Sequence, residues 1–505
     1  MTAPRGCCAT GAGRFLSTCP ERFMTEIIEP PSRLDEYLAS GANDTVLLRQ
    51  LHELIQNSAN AAPPRVPGTP LRLLLAGYNG GGNTGADVRV AEMIRQIRAI
   101  LGREQVQIGL IAAGETLPLE LADEVRPELS SDYLPDFLER TCRRYDGVIA
   151  CEGSMFKSNF STALGAFMAA SLGIASASGR LAVGYGAEAG RMEPGLRDFV
   201  SGLGQGPLVL CRNAESRTLL DGLGLRTAAG ADTAWTYQAT PEAAVQQRLR
   251  MLGVGQRPLL VICPINPFWW PVRPDLAKAV ELETHGAHRD LHYAAVLFHA
   301  DSDEIRRGYA AYLDAIAEAA KQWREDNHGS VLIIGMDRVD RKPCHDLAAR
   351  FDTPPPIVQS GDVSPGAIVG MLRAADLLLS SRFHAIVTSM QAGVPAVGIS
   401  MDERINNLLG AGEHNRRLLR ADSPELAGQI LPALRHAQAE RESIGAAAQA
   451  FVASQLRAMG EMGKRFADEV RRFHPDIKTP DSNAGWSAYL PSMHPELHAL
   501  LERNS

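Results

Sequence analysis

The sequence predicts an α/β protein built from two doubly wound lobes that face a cleft. From residue 71 to residue 400, short apolar runs alternate with stretches whose apolar residues recur every three or four positions. This alternation is typical of a mostly parallel sheet covered by helices. It pauses near residues 250–256 and then starts again, and 505 residues are enough for two domains. We therefore expect two Rossmann-like lobes, residues 71–250 and 256–420.

The N-terminal lobe begins at a first apolar run that follows a linker rich in proline, alanine and glycine. Strands are predicted at 71–76, 107–112, 147–151, 180–183 and 208–212. Helices are predicted at 87–101, 135–144, 162–172 and 215–220. Because strands alternate with helices, we expect parallel strands whose carboxyl ends lie at one edge of the sheet.

The C-terminal lobe repeats this pattern, starting from an apolar run that ends at Cys263. Strands are predicted at 258–263, 294–299, 330–335, 356–358, 374–379 and 396–399. Helices are predicted at 305–323, 345–350, 365–374 and 386–391. Ligands of open α/β sheets bind outside the carboxyl ends of the strands, so polar residues that directly follow the predicted strands are the candidates for a functional site.

The segments outside the two lobes differ in composition. Residues 1–23 lack the apolar core of a signal peptide, and a second methionine follows at Met24, so we expect a disordered leader or a misassigned start. Residues 24–70 are predicted as a helical extension and a linker. Residues 421–472 have a strong helical period and are expected to pack across both lobes, followed by a tail at 473–505.

The composition argues against several classes of protein. The net charge of -7 disfavours non-specific binding of nucleic acid, and no apolar run reaches the roughly 18 residues that span a membrane. The eight cysteines are scattered without a CxxC pair, which favours reduced thiols in the cytoplasm over a zinc site or disulfide framework. The histidines at 285–292 are expected to be solvated, so no metal is predicted.

The most informative motif is SSRFHA at 380–385, between a predicted strand and a predicted helix. The free N–H groups and the dipole of a helix N-terminus attract an anion. Arg382 can bind a carboxylate or phosphate through two hydrogen bonds, and His384 can transfer a proton near neutral pH. We predict Ser381 and Arg382 as substrate-binding and His384 as catalytic. The alternative is structural: a serine caps the helix and Arg382 pairs with a surface carboxylate.

A glycine-rich segment, residues 77–87, follows the first strand and opens the first helix of the N-terminal lobe. Glycines let the backbone approach a ligand and direct N–H groups towards it. The spacing matches neither GxGxxG nor a P-loop. We predict that Gly81, Gly82 and Asn83 bind substrate and that Asp87 is catalytic. The alternative is a flexible turn with Asp87 near the helix N-terminus.

Two further strand ends carry charged residues. Glu152 and Lys157 follow the strand at 147–151, where a carboxylate can act as a base and an ammonium group can bind an anion. Arg212 ends a later strand, and a second arginine in the cleft would suit a dianionic ligand. The alternatives are a polar loop for the first pair and a local ion pair with Glu215 for Arg212.

Two of the five tryptophans, Trp269 and Trp270, lie together beside prolines after the first strand of the C-terminal lobe. An aromatic ring has a large apolar face that can stack on a sugar ring. Trp269 is therefore a candidate platform for a sugar acceptor. The alternative is a hydrophobic plug that packs against the other lobe.

These motifs, in this order, resemble the polysaccharide pyruvyl transferase family. SRFHA at 381–385, with GVP at 393–395, is similar to the family's S-R-x-H-A and A-x-x-x-G-V-P segment. RNAES at 212–216, with a later aspartate at Asp232, is similar to its R-(D/N)-x-x-S and following D. NTGAD at 83–87 is similar to its N-x-G-D, with one extra residue that departs from the family's spacing.

The resemblance covers roughly residues 71–415 and implies a fold like the two-lobed GT-B glycosyltransferases. It implies phosphoenolpyruvate as the donor substrate, no cofactor, and a sugar or glycan as the acceptor. It also implies that Arg382 and His384 meet the donor, with Arg212 nearby. Arg404 stands near the position where the family usually has a lysine, and we count it as substrate-binding.

The implied activity is transfer of a pyruvyl group from phosphoenolpyruvate to a sugar of a polysaccharide or its precursor, which forms a pyruvate ketal. A cytoplasmic enzyme of exopolysaccharide biosynthesis is expected, at the inner face of the membrane if its acceptor is lipid-linked. The alternatives are a glycosyltransferase or sugar-nucleotide epimerase of the same fold, and a non-catalytic sugar- or phosphate-binding relative. No nucleic-acid partner is expected, and neither the acceptor nor the oligomeric state is predicted.

Overall fold

The computed structural model describes residues 33–41, 43–59, 65–112, 121, 124–129, 135–294, 296–410 and 416–504. The expected leader, residues 1–23, lies outside the described residues. Two parallel sheets covered by helices form the body of the protein, which confirms the α/β prediction. One apolar cluster contains Leu75 of the first sheet, Val261 of the second and Val452 of a C-terminal helix, so the two lobes share part of their core.

Seven parallel strands form the sheet of the N-terminal lobe, in the order β3-β2-β1-β4-β5-β6-β7. Their bounds are β1 Leu71–Ala76, β2 Val106–Ala112, β3 Arg126–Leu129, β4 Gly147–Ala150, β5 Leu181–Ala187, β6 Leu208–Cys211 and β7 Arg226–Ala229. The apolar runs lie in the centre of the sheet, where helices cover both faces. The edge strands β3 and β7 were missed from the sequence because they are short and contain charged residues.

Six parallel strands form the second sheet, in the order β13-β12-β8-β14-β15-β16, and a separate sheet has the order β10-β11-β9. The bounds are β8 Leu259–Cys263, β9 Arg273–Pro274, β10 His292–Ala294, β11 Leu297–Phe298, β12 Ser330–Gly335, β13 Ile357–Gln359, β14 Leu377–Ser380, β15 Ala396–Ser400 and β16 Leu418–Arg420. The predicted strand at 294–299 is therefore wrong. Its residues turn back on themselves in the antiparallel pair β10–β11 and do not join the parallel sheet.

Helices cover both sheets and continue beyond the second lobe. Their bounds are α1 Arg33–Ala39, α2 Asp44–Asn57, α3 Thr84–Leu101, α4 Pro135–Cys142, α5 Thr162–Ala177, α6 Pro194–Ser201, α7 Ala214–Gly222, α8 Glu242–Met251, α9 Leu276–His285, α10 Asp303–Asn327, α11 Arg341–Ala348, α12 Pro365–Arg373, α13 Phe383–Ser389, α14 Glu403–Leu409, α15 Leu426–Ala439, α16 Arg441–Phe473 and α17 Pro495–Arg503. Short 3₁₀ turns follow some strands and helices, at Thr233–Thr236, Arg338–Asp340, Met390–Ala392 and Trp486–Tyr489.

The long helix α16 packs against both lobes, as the sequence analysis expected of this region. In the N-terminal lobe, the Phe466 ring makes an edge contact with Tyr185 of β5, with 5.4 Å between ring centroids. In the C-terminal lobe, the backbones of Gly445 and Gly393 touch, and a Cβ atom on Gly445 would lie 2.7 Å from the Gly393 oxygen. The helix therefore connects the lobes on one side of the cleft.

A long connection, residues 264–302, runs between β8 and α10, and we call it the strap; it contains β9, α9, β10 and β11. It reaches the N-terminal lobe at two points. The Val272 N–H donates a hydrogen bond to the Phe160 carbonyl (2.8 Å). The Tyr293 ring stacks on Tyr78 of the glycine-rich segment, with centroids 5.4 Å apart. The strap therefore lies across the cleft between the lobes.

The described residues contain neither a membrane-spanning helix nor a cluster of metal ligands. Within them, no helix is long and apolar enough to cross a membrane. The same residues contain no group of three or more His, Cys, Asp or Glu side chains that could hold a metal ion. The expectation of a metal-free reaction stays a prediction.

Candidate functional site

The carboxyl edges of the two sheets face each other, and the loops that follow their strands are in direct contact. Asn83 caps α3 by accepting the Ala86 N–H, and its amide donates to the Asp337 carboxylate of the other lobe (2.7 Å). Beside it, the Thr84 hydroxyl donates to the Ser360 hydroxyl (2.9 Å). The cleft is therefore closed, and polar side chains from both lobes meet inside it.

His384 lies in the first turn of α13, directly after β14, and it reaches into the N-terminal half of the cleft. Its Nε2 atom is 3.4 Å from Oδ2 of Asp232. A Cβ atom on Gly85, in the first turn of α3, would lie 2.4 Å from His384 Nδ1. Glycine at this position therefore lets the imidazole approach both the helix N-terminus and Asp232.

Asp232 connects His384 to two arginines of the N-terminal lobe. Its Oδ2 atom is 3.0 Å from Arg89 Nε and accepts a hydrogen bond from a terminal nitrogen of Arg212 (2.8 Å). Arg89 and Asp232 are only 1% and 2% exposed. Because a buried charge is costly unless it is paired, these ion pairs fix the positions of all three charged groups.

The charges around His384 set its protonation state. Burial lowers the pKa of His384 below its ordinary value, and the nearby Arg212 and Arg89 lower it further, while Asp232 opposes the shift. Burial alone would raise the pKa of Asp232, but Arg89 and His384 hold it well below its ordinary value. At neutral pH, a neutral imidazole therefore faces an ionised carboxylate. An anion bound nearby would raise the pKa of His384 and allow it to donate a proton.

Arg212 is buried between two carboxylates. Its guanidinium forms ion pairs with Glu188 and Asp232, and Glu215, the local partner considered from the sequence, is not among these contacts. The guanidinium also lies over the Phe383 ring of the C-terminal lobe, 4.3 Å from the ring centroid. Burial lowers the pKa of Arg212 to about 10, so the side chain keeps its charge at neutral pH.

Arg382 is neutralised within its own lobe. Its guanidinium makes a two-point ion pair with Asp340, in which Nε and Oδ2 are 2.9 Å apart, and it lies 3.5 Å from Asp337. Ser381 shares a 2.7 Å hydrogen bond with the Tyr312 hydroxyl. The sequence analysis expected Arg382 to be free to bind an anion. In the structure its guanidinium is instead already paired with the Asp340 carboxylate. An anion would have to replace Asp340 or bind the remaining edge of Arg382.

A second contact between the lobes involves Lys157 and Arg404. The buried Lys157 ammonium is 3.1 Å from Glu403 Oε1 of the C-terminal lobe. Arg404 pairs with Asp402 (2.8 Å) and covers the face of Phe160, with 4.4 Å to the ring centroid. Burial lowers the pKa of Lys157, although Asp402 and Glu403 oppose this shift. In the closed state, both predicted substrate-binding cations hold the lobes together.

The glycine-rich segment and Glu152 lie on the N-terminal side of the cleft. Gly82 has a φ of 76°, in the left-handed region, and a Cβ atom on Gly81 would lie 2.5 Å from the Tyr78 ring. Asp87 is buried in the first turn of α3. Glu152 Oε1 accepts a hydrogen bond from the next backbone N–H in the chain (2.8 Å). The catalytic roles of Asp87 and Glu152 stay predictions.

Trp269 does not form an open platform in the cleft. Its ring is 5% exposed and stacks on His299, with centroids 4.1 Å apart and an interplanar angle of 13°. Burial lowers the pKa of His299 to about 3, so this imidazole is neutral. Trp270 makes an edge contact with Phe160 of the N-terminal lobe, at 5.1 Å. The pair packs as a plug, as the alternative interpretation predicted, and His299 occupies one face of Trp269.

The sequence analysis missed several charged residues of the site, among them Arg89, Glu188 and Asp340. Glu188 directly follows β5, and Asp340 lies in the turn after β12. Both positions obey the rule that selected Glu152 and Arg212, namely a polar residue at the carboxyl end of a parallel strand. Applying that rule to every strand would have found Glu188 and Asp340. It would not have found Arg89, which lies inside α3.

Two doubly wound lobes that close on a shared polar cleft define a GT-B-like fold. The structure of HepE from Anabaena in complex with UDP and glucose has a TM-score of 0.50, 13% identity, and coverage of 79% of this chain and 98% of that chain. A putative UDP-N-acetylglucosamine 2-epimerase from Listeria monocytogenes has a TM-score of 0.51, 10% identity, and coverage of 82% and 99%. At these identities the similarity establishes the fold alone, and it confirms the predicted architecture.

The chain belongs to the polysaccharide pyruvyl transferase family. The model of this family matches residues 131–403, which is more than half of the chain. The matched segment contains Arg212, Asp232, Arg382 and His384. No match was found among curated proteins. The resemblance inferred from the sequence motifs is confirmed, and the protein is assigned to a family of transferases.

Proposed function

We propose that the protein transfers a pyruvyl group from phosphoenolpyruvate to two hydroxyl groups of a sugar, in a polysaccharide or its precursor, and so forms a pyruvate ketal. The observation that carries this proposal is the contact across the cleft between His384 and Asp232, at 3.4 Å. Both residues lie inside the segment that matches the family. Histidine is the side chain whose ordinary pKa lies closest to neutrality, and such a group can supply the proton that this reaction needs.

The proposed reaction requires a proton at carbon. Protonation of the methylene carbon of phosphoenolpyruvate forms the methyl group and leaves positive charge on the central carbon. One sugar hydroxyl adds to that carbon, the bond from the central carbon to the phosphate oxygen breaks, and a second hydroxyl closes the ketal ring. The two hydroxyls lose two protons, which balance the proton gained by the methyl group and the one carried by the departing hydrogen phosphate.

His384 is the proposed general acid. In the free protein its imidazole is neutral, because burial and the neighbouring arginines lower its pKa. The phosphate and carboxylate of the donor place negative charge in the cleft, which raises the pKa and favours a protonated ring. Asp232 orients Nε2 and stabilises the imidazolium that forms. General acid catalysis of this kind contributes about 10²- to 10⁴-fold to the rate.

Opening and closing of the lobes gives the donor access to the site. In the closed state each cation of the cleft has a carboxylate partner, as Arg382 has Asp340 and Lys157 has Glu403. Separation of the lobes breaks the contact between Lys157 and Glu403 and exposes the N-terminal turn of α3, whose free N–H groups favour an anion. Closure then brings His384 to the donor and excludes water, which would otherwise hydrolyse the activated pyruvyl group.

Gly85→Ala should impair the reaction without changing any ionisable group. The new methyl group would lie 2.4 Å from His384 Nδ1, so the imidazole cannot keep the position that it has beside Asp232. We expect kcat to fall about 10- to 100-fold, because a displacement of about 1 Å can cost that much in an oriented reaction. The measurement is phosphate release from phosphoenolpyruvate with a panel of polysaccharide acceptors.

Gly222→Ala is the matched control for Gly85→Ala. Gly222 lies in α7 of the same lobe, and a Cβ atom there would have no neighbour within 4 Å. Its kcat should equal that of the wild type. If Gly85→Ala also retains full kcat, His384 does not need the position that it has in the closed cleft.

Calorimetry with donor candidates tests the proposed function. Phosphoenolpyruvate should bind to the wild-type protein, and UDP-glucose should not, since the similarity to the HepE complex with UDP and glucose concerns the fold alone. Subsequent phosphate release with an acceptor would distinguish an enzyme from a binding protein. Binding of UDP-glucose without binding of phosphoenolpyruvate would instead support a glycosyltransferase or epimerase.

A further inference from the structure

Helix α14 of the C-terminal lobe presents a polar face to the N-terminal lobe. Glu403 and Asn407 are four residues apart, so they lie on the same face of the helix. The Glu403 carboxylate is 3.1 Å from the Lys157 ammonium, and a Cβ atom on Gly190 would lie only 1.3 Å from Glu403 Oε1. Glycine at this position therefore leaves space for a side chain of α14 inside the other lobe.

The apolar face of α14 is fixed to its own lobe. Ile405 and Leu409 are both 2% exposed. A Cβ atom on Gly398 of β15 would lie 2.5 Å and 2.9 Å from these two side chains. Because such close packing leaves the helix little room to shift on its sheet, any movement of the C-terminal lobe carries Asn407 with it.

Asn407 reaches a buried carboxylate of the N-terminal lobe. Its amide nitrogen donates a hydrogen bond to Glu188 Oε1 (3.2 Å), and Glu188 is fully buried. The other oxygen of Glu188 pairs with Arg212, which in turn donates to Asp232 (2.8 Å). The Asn407 amide thus occupies one of the two oxygens with which Glu188 could bind the guanidinium.

Glu188, Arg212 and Asp232 form an ion triad that the C-terminal lobe contacts at both ends. Asn407 of α14 binds the Glu188 end. His384 of α13 lies 3.4 Å from Asp232 at the other end. A change in the way that Arg212 is shared within the ion triad therefore changes the charge that faces His384.

We propose that Asn407 and Glu188 are positioning residues for His384. They act by keeping Arg212 shared between two carboxylates, and this inference rests on the proposed function, in which His384 is the general acid. In the closed cleft, Asn407 binds Oε1 of Glu188 and leaves a single oxygen for Arg212. The second terminal nitrogen of Arg212 then stays on Asp232 and holds that carboxylate beside the imidazole.

Separation of the lobes removes this arrangement, because Asn407 leaves Glu188 together with its lobe. A carboxylate with both oxygens free binds a guanidinium through two parallel hydrogen bonds, so Glu188 then draws Arg212 away from Asp232. The arrangement that orients the acid therefore forms only when the cleft is closed and water is excluded.

Asn407→Ala tests this proposal without changing any ionisable group. Glu188 becomes free to take both terminal nitrogens of Arg212, which then moves away from Asp232. The charged groups that set the pKa of His384 are Asp232, Arg212 and Arg89. Since Arg212 lowers this pKa, its withdrawal should raise the pKa of His384 in the free protein. NMR titration of the full chain measures the shift, with His384→Ala identifying the signal.

The same variant should lower kcat more than it changes donor affinity. We expect kcat to fall about threefold to tenfold, because Asp232 keeps Arg89 as a second anchor at 3.0 Å and is displaced only slightly. The dissociation constant of phosphoenolpyruvate should stay within about twofold of the wild type, as a positioning role requires. Phosphate release with acceptor measures kcat, and calorimetry measures the affinity.

Asn406→Ala is the matched control. Asn406 is the neighbour of Asn407 on α14 and is also half-buried, and its side chain has no hydrogen-bond partner among the residues that the structure describes. It should match the wild type in kcat and in the pKa of His384. Glu188→Gln should shift that pKa in the opposite direction, to lower values, because Arg212 then pairs with Asp232 alone. Loosened packing would not produce opposite shifts.

The result can be separated from the fate of the proposed function, because the titration needs no donor. If Asn407→Ala equals Asn406→Ala in kcat and in the pKa of His384, or if that pKa falls in Asn407→Ala, the positioning role is overturned. If phosphoenolpyruvate fails to bind to the wild type, the proposed function fails, and the titration still shows whether Asn407 acts on His384.

Discussion

Replacing His384 with alanine should reduce kcat by about 10³-fold and leave the dissociation constant of phosphoenolpyruvate within about threefold of the wild type. The imidazole supplies the proton for the methylene carbon, and loss of a general acid costs about 10²- to 10⁴-fold. Donor affinity should persist because Arg89, Arg212 and the N-terminus of α3 remain in place. Phosphate release with acceptor measures the first quantity, and calorimetry measures the second.

His345→Ala is the matched control, since His345 is exposed on α11 and contacts no residue of the cleft that we describe. It should retain wild-type values for both quantities. A near-normal kcat in His384→Ala would remove His384 from the chemistry. A donor affinity that falls as far as kcat would instead make it a binding residue.

Asp232→Asn should have the second large effect, on both stability and pH dependence. The substitution leaves Arg89 and Arg212 buried with Glu188 as the remaining carboxylate. Loss of one partner from a buried ion pair costs about 3–5 kcal/mol, and we expect a decrease in the free energy of unfolding at the lower end of that range. Urea denaturation at neutral pH measures it.

The same variant should shift the pH profile to lower pH. Asp232 is the group that opposes the lowering of the pKa of His384, so its removal lowers that pKa further. If the reaction needs protonated His384, kcat falls as pH rises through this pKa, and the fall should begin at lower pH in the variant. An unchanged pH profile would disconnect Asp232 from His384.

Asp221→Asn provides a control on the surface of the same lobe. Asp221 is about half exposed and pairs with Arg217 across one helical turn, at 3.6 Å. Exposed pairs of this kind contribute about 0–1 kcal/mol. Its free energy of unfolding should therefore stay within about 0.5 kcal/mol of the wild type, and its pH profile should not move.

Most of the fold could be predicted because parallel sheets place continuous apolar runs in their centre. The strand at 330–335 matches its predicted bounds, and the neighbouring central strands differ by a few residues. The edge strand β7 was missed because an edge exposes polar positions and its apolar signal is weak. The strand predicted at 294–299, within the strap, was wrong because a short apolar run has the same appearance in an antiparallel hairpin as in a buried parallel strand.

The site was only partly predictable because its charges are paired over long distances in sequence. The strand-end rule found Arg212, Arg382 and His384. It could not show that Asp340 neutralises Arg382, since that pair depends on the strand order of the sheet, in which only β8 separates β12 from β14. Arg89 was missed for another reason: with Glu92 and Gln96 it forms a polar stripe on α3, which normally predicts a solvent-facing surface, yet all three residues are buried.

An NMR titration of the His384 ring, without and with saturating phosphoenolpyruvate, tests the central claim most directly, with His384→Ala identifying the signal. In the closed protein a neutral imidazole lies against Asp232, and the negative charge of the bound donor then raises the pKa of His384 so that the ring takes up a proton. The pKa should lie below 6.5 in the free protein, in line with burial and the two arginines, and rise when the donor binds. A pKa that stays where it was, or falls, in the presence of bound phosphoenolpyruvate would contradict the claim.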